Sequence, residues 1–139
     1  MNTAAVIAVA FAALYASHMV ADHWVQTQRQ ADRKSLPGWP GRLACAAHVA
    51  TYTATALVAL LALAWRTGLA LSPAHVAAGL AVSAVSHYVA DRRAPLRWAA
   101  DRLGKNPAWL ERGGGLYALD QSWHVGWLFV AALIIGGAA

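Results

Sequence analysis

Four apolar runs, near residues 4–25, 43–65, 73–91 and 116–138, take up most of the chain and leave it few ways to fold. Each is close to the ~20 residues that carry a helix across the hydrocarbon core of a bilayer. A strand exposed to lipid would leave backbone groups unpaired, so helices are the expected elements. Composition agrees: 59% of the 139 residues are hydrophobic and 12% are charged, where ordinary soluble domains are about one quarter charged. Mean hydropathy is +0.43. The chain therefore reads as an all-α polytopic membrane protein. The expected architecture is a single domain over residues 1–139, a four-transmembrane-helix bundle with connections at 26–42 and 92–115.

The first run sits where a secretory leader would, but no basic residue precedes it and its apolar stretch exceeds the usual ~7–15 residues. It is expected to remain as a mature helix. Orientation follows from lysine and arginine. Arg29, Arg33, Lys34 and Arg42 fall in the first connection, and Arg92, Arg93, Arg97, Arg102, Lys105 and Arg112 in the last, leaving Arg66 alone elsewhere. The positive-inside rule then predicts a protein integral to a cytoplasmic membrane, with both basic connections in the cytoplasm and both termini outside. The net charge of +5 lies beside apolar helices rather than along a soluble basic face. That pattern predicts anionic lipid headgroups as partners and no nucleic acid. The lone Cys45 cannot form an internal disulfide.

The sequence "SHMVAD" at 17–22 returns as "SHYVAD" at 86–91. Each copy closes an apolar run and is followed by a basic connection and another apolar run, so the bundle reads as two related helical hairpins. Aligning the second helix of each hairpin sets His48 opposite His124, with Ala44 where the later copy has Asp120. Because the helices alternate in direction, His18, Asp22, His48, His87, Asp91, Asp120 and His124 are expected in one layer near the cytoplasmic leaflet. His18 and Asp22, His87 and Asp91, and Asp120 and His124 are each four residues apart, one helical turn along a single face.

Ionisable side chains inside spanning helices are costly and mark functional sites by default. Three readings fit this layer. As a metal centre, all seven residues are ligands to a divalent ion, zinc foremost with manganese or iron as alternatives, in a set large enough for one or two ions. As a relay, the same residues pass protons, metal ions or small solutes in a transporter. As a structural network, Asp–His pairs only hydrogen-bond the helices together. On the metal reading, a carboxylate of Asp22, Asp91 or Asp120 acts as general base in a hydrolase for a lipid or other amphiphile. Gln26, Lys34, Arg92, Arg93, Arg97 and Gln121 would hold its headgroup.

Secondary expectations attach to other residues. Tyr52, one turn from His48, is a candidate to fix that ring, and Cys45 is a small buried thiol or an extra ligand. His23 points away from the Asp22 face, and His75 belongs to the opposite end. The segment 92–115 is either partly an interfacial helix or a solvated loop whose tryptophans anchor its neighbours. Residues 113–115, all glycine, read as a flexible lead into the fourth helix. Gly126, Gly136 and Gly137 offer a surface for a homo-oligomer.

"HMVADHWVQTQ" with Lys34 downstream, the lone His48, "HYVAD" and "LDQSWH" together resemble a bacterial and phage family of small integral membrane proteins, the domain of unknown function DUF3307. The resemblance covers nearly the whole chain and carries over His18, Asp22, Gln26, Lys34, His48, His87, Asp91, Asp120, Gln121 and His124. Arg92 and Arg93 stand where the family pattern implies a lysine. The resemblance implies no activity.

Overall fold

The computed structural model describes residues 2–137, and Ala138 of the fourth expected helix lies outside the described residues. Every regular element among the described residues is a helix. Helix α1, Thr3–Val20, starts at Asn2, whose side chain accepts the Ala5 N–H. It runs into a π turn, Ala21–Val25, closed by the Gln26 N–H on the Ala21 carbonyl. Helix α2, Gln28–Arg33, opens with a reciprocal capping box between Thr27 and Gln30. Helix α3, Gly38–Thr67, begins earlier than its apolar run. Gly38 turns the chain at φ 75°, and Pro40 falls in the first turn, where a missing N–H costs nothing. Helix α4 is Pro73–Asp91.

The last connection is not an open loop. It forms α5, Ala94–Arg102, and α6, Pro107–Arg112, each with a proline in its first turn. The Asn106 side chain accepts two backbone N–H groups to start α6. Helix α7, Gly115–Gly136, completes the chain. Gly114 takes the left-handed conformation at φ 72°, and a side chain on Gly115 would collide with the Trp109 indole. The glycine run is therefore a tight joint rather than the expected flexible lead.

Among the four long helices, α1 packs on α3 and α7, and α4 packs on the same two. Their shared interior is apolar: Ala10 and Leu14 from α1, Ala56 and Leu60 from α3, Leu80 from α4, and Leu128, Ala131, Ala132 and Ile135 from α7. Glycines allow close approach. A Cβ on Gly79 would lie 2.6 Å from Ile135 Cγ1, and one on Gly136 would collide with Ile7. Gly136, expected on a surface for self-association, is thus used inside the chain.

The outer surface is apolar as well, with Leu57, Val58, Leu61, Val85, Phe129 and Leu133 all exposed. Three helical stretches are long and apolar enough to cross a membrane: Thr3–Val25, Gly38–Thr67 and Gly115–Gly136. Helix α4 is not among them, since His75, His87, Asp91 and its serines dilute its apolar content. The short helices gather at one end of the molecule, where α1 and α4 finish and α3 and α7 start. There α2 lies on α3, α5 touches α4 and α7, and α6 rests on α7.

Candidate metal centre

That capped end is where the expected polar layer forms. Helix α1 delivers His18, the π turn Asp22, α3 His48, α4 His87 and Asp91, and α7 Asp120 and His124. The four imidazoles and Asp91 are no more than 3% exposed, although the layer lies at the ends of helices. Helical spacing places each pair on one face, and the π turn adjusts the first pair. Its extra residue per turn re-aims the chain just where Asp22 must point inward, a frequent use of π bulges at functional sites.

Four atoms converge at the middle of the layer. His48 Nε2 lies 3.0 Å from His87 Nε2. Asp22 Oδ1 is 3.4 Å from the first and 3.6 Å from the second, and Asp91 Oδ2 is 3.3 Å from both. Ligands bound ~2.0–2.1 Å from zinc in a tetrahedron are about 3.3–3.4 Å apart, and these five separations, 3.0–3.6 Å, lie around that value. Asp22, His48 and His87 form one ligand group within 4.8 Å, which does not include Asp91. Beside them, ligand atoms of His18, His87 and His124 lie within 4.8 Å of one another, and so do those of Asp91, Asp120 and His124. His18 Nδ1 is 3.7 Å from Asp22 Oδ2, and His124 Nε2 is 3.7 Å from Asp120 Oδ1, both beyond hydrogen-bonding reach.

Hydrogen bonding leaves this layer unfinished. Both ring nitrogens of His18, Nδ1 of His48 and His87, Nε2 of His124, Asp22 Oδ1 and Asp91 Oδ2 are buried and make no hydrogen bond. Native interiors satisfy nearly all such atoms through protein, water or ion partners, and here they concentrate in side chains able to ligate a metal. The donor set, imidazole nitrogen with carboxylate oxygen and no sulfur, suits zinc, manganese or iron. Cys45 is buried and free, with its thiol turned to the Tyr88 carbonyl at 3.8 Å and outside every ligand group.

A family model described as "Protein of unknown function (DUF3307)" matches residues 10–138. The chain belongs to the DUF3307 family. No curated protein and no solved structure matches it. The DUF3307 match spans all seven layer residues, so the layer is part of the family domain rather than an appendage to it.

Two surroundings of the layer differ from expectation. Tyr52 does not brace His48. Its ring lies against His87 with centroids 4.1 Å apart, and its hydroxyl pairs with Ser83 Oγ. Ser83 was not among the sequence candidates, yet it stands one turn before His87, so 83, 87 and 91 form one stripe of α4. Trp123 was also missed; its indole N–H donates to the Ser86 carbonyl at 3.1 Å and ties α7 to α4.

The expected headgroup residues separate sharply. Lys34 Nζ is 2.7 Å from Asp91 Oδ1, and the Arg92 guanidinium donates to the carbonyls of Lys34 and Leu36. Arg97 is engaged by Asp101 and Glu111, each at 3.1 Å, and Glu111 first and then Asp101 push its guanidinium further up from the usual arginine range. Gln121 Nε2 donates to Asp120 Oδ2 at 3.3 Å, while Gln26 keeps a buried Nε2 with no hydrogen bond. Only Arg93, of the four expected cations, has no side-chain partner among the described residues. It sits at φ 57°, with the Ala94 N–H bonded to the Arg92 carbonyl, in a tight γ-turn that throws its side chain outward. A cleft of about 270 Å³ is lined by Arg93, Leu96, Leu110, Glu111, Leu116, Tyr117 and Asp120, among others. His23 is exposed and bonded to the Met19 carbonyl, and His75 pairs with Ser72 at the far end of α4, away from the layer.

Proposed function

We propose that this protein is a membrane-embedded metalloprotein, a metal-dependent hydrolase acting on a lipid or other amphiphile from the cytoplasmic side. The observation that carries the reading is the gathering of a carboxylate oxygen of Asp22 and one of Asp91 within 3.6 Å of the paired Nε2 atoms of His48 and His87, with further buried ligand-type atoms around them that make no hydrogen bond within the protein. The apolar outer surface supports a bilayer around α1, α3 and α7, and α4, packed between α3 and α7, would complete a four-helix membrane bundle. The basic residues around α2, α5 and α6 support a cytoplasmic, headgroup-level position for the capped end.

An ion here would lower the pKa of a bound water toward ~7 and polarise a carbonyl or phosphoryl oxygen. Asp120, the most exposed carboxylate of the layer at 23%, lines the cleft and would serve as the base toward such a water. An anionic headgroup would meet Arg93, with its chain against Leu96, Leu110 and Leu116, while the lining Glu111 is already engaged by Arg97. The transport reading finds less support. Past Tyr52 and Ser83 the interior continues as Leu14, Ala56, Leu60, Leu80 and Leu128, with no polar relay across the remaining depth among the described residues.

The test is turnover by the purified, metal-loaded protein in nanodiscs carrying a panel of ester, phosphoester and amide lipids. Product release is expected for one lipid class, abolished by chelation and by Asp120→Asn. A metal-loaded protein that releases product from no lipid in the panel would remove the hydrolase assignment.

A further inference from the structure

We infer that Lys34 is a built-in counter-ion, its ammonium standing in for a second metal ion, so that the centre holds one divalent ion rather than two. The inference rests on the metal-centre reading above and concerns how that same centre is loaded. Asp91 is divided between two partners: Oδ2 belongs to the four converging atoms, and Oδ1 is held by Lys34 Nζ at 2.7 Å. The groups that could take a second ion are Asp91, Asp120 and His124, whose ligand atoms lie within 4.8 Å of one another. With Oδ1 held by Lys34, Asp91 has only Oδ2 left to offer both the converging atoms and that set.

This is no wandering surface lysine. Its side chain is 12% exposed, and its backbone is clamped. The Arg92 guanidinium donates to the carbonyls of Lys34 and Leu36, so the residue next to Asp91 grips the residue that Asp91 pairs with, across 58 positions of chain. Gly41 closes the clamp from the other side, since any side chain there would collide with the Leu36 carbonyl. The Thr27–Gln30 capping box fixes the start of α2, the helix that ends one residue before Lys34.

Charge balance gives the arrangement its consequence. Imidazoles that ligate a metal are neutral, so the layer carries the charges of Asp22, Asp91 and Asp120. With Lys34 present two negative charges remain, and one divalent ion neutralises them. A second divalent ion would leave two positive charges in a largely buried site, which is strongly unfavourable without further anions. Removing the lysine charge frees Asp91 Oδ1 and opens the second set.

Zinc stoichiometry decides this. Full-length protein in detergent, free of affinity histidine tags, is loaded with zinc, desalted and counted by elemental analysis, with Lys34→Met and Lys34→Arg alongside. One zinc per chain is expected in the parent and in Lys34→Arg, and two in Lys34→Met, the second being lost again in Lys34→Met/Asp120→Asn. Two zincs in the parent, one in folded Lys34→Met, or none in folded Lys34→Met would overturn the counter-ion role and leave the metal centre standing. A folded parent that binds no zinc would instead overturn the metal reading beneath it. Should Lys34→Met fail to fold, the parent count still decides, one zinc supporting the role and two overturning it.

Discussion

At the scale of single residues, His87 is the hub of the centre. Its Nε2 lies within 3.6 Å of His48, Asp22 and Asp91, and its ring contacts those of Tyr52 and His124. On the metal reading, His87→Ala would remove a direct ligand and open a cavity under Tyr52. Its metal affinity should fall by more than the ~10–100-fold that loss of an outer partner costs. Isothermal titration with zinc reads this, and unchanged affinity in folded His87→Ala would remove His87 from the ligand set. Much of the site was legible at this scale, because the four-residue spacing of His18 with Asp22, His87 with Asp91 and Asp120 with His124 follows from helical pitch alone. The pairing of Tyr52 with Ser83 and His87 was not, since neighbours on one helix are seen in sequence and neighbours across a helix crossing are not.

At the scale of elements, the informative places are the interruptions. The π turn re-aims Asp22, Gly38 and Pro40 start α3 early, and Gly114 with Gly115 seats α7 against Trp109. Gly115→Ala drives a methyl into the Trp109 indole and should destabilise the protein by about 1–3 kcal/mol through overpacking. A denaturant melt in detergent that matches the parent within error would show that the joint can yield. Arg92→Gln should release the segment carrying Lys34. Hydrogen exchange at 34–37 is expected to accelerate while the interior of α3 stays protected, and equal exchange in parent and variant would mean the clamp contributes nothing.

At the scale of the whole molecule, the four long helices divide their depth between an apolar interior and a polar layer at the capped end. Burying imidazoles and carboxylates there with several polar atoms unbonded costs stability, a cost that an ion would relieve on the proposed reading. Zinc should therefore raise the unfolding temperature. Ligand linkage gives ~2.7 kcal/mol of stabilisation at one hundred times the dissociation constant. A melt that is insensitive to both zinc and chelator, in protein shown to be folded, would mean that no ion is part of the native structure.

The helical class, the lengths of the apolar runs and the membership of the polar layer were determined by sequence alone, because hydrophobic run length and helical period are local properties of the chain. Sequence placed the seven ligand candidates together as a layer but could not tell which atoms would touch. It offered Lys34, Arg92, Arg93 and Arg97 as equals. Only the tertiary structure set Lys34 on Asp91, turned Arg92 back to two carbonyls, bound Arg97 to Asp101 and Glu111, and left Arg93 lining the cleft with no side-chain partner among the described residues. Those outcomes depend on how α2 and α5 fold back over the ends of α3 and α4. Contacts between residues 58 positions apart are decided by packing, which no local periodicity encodes.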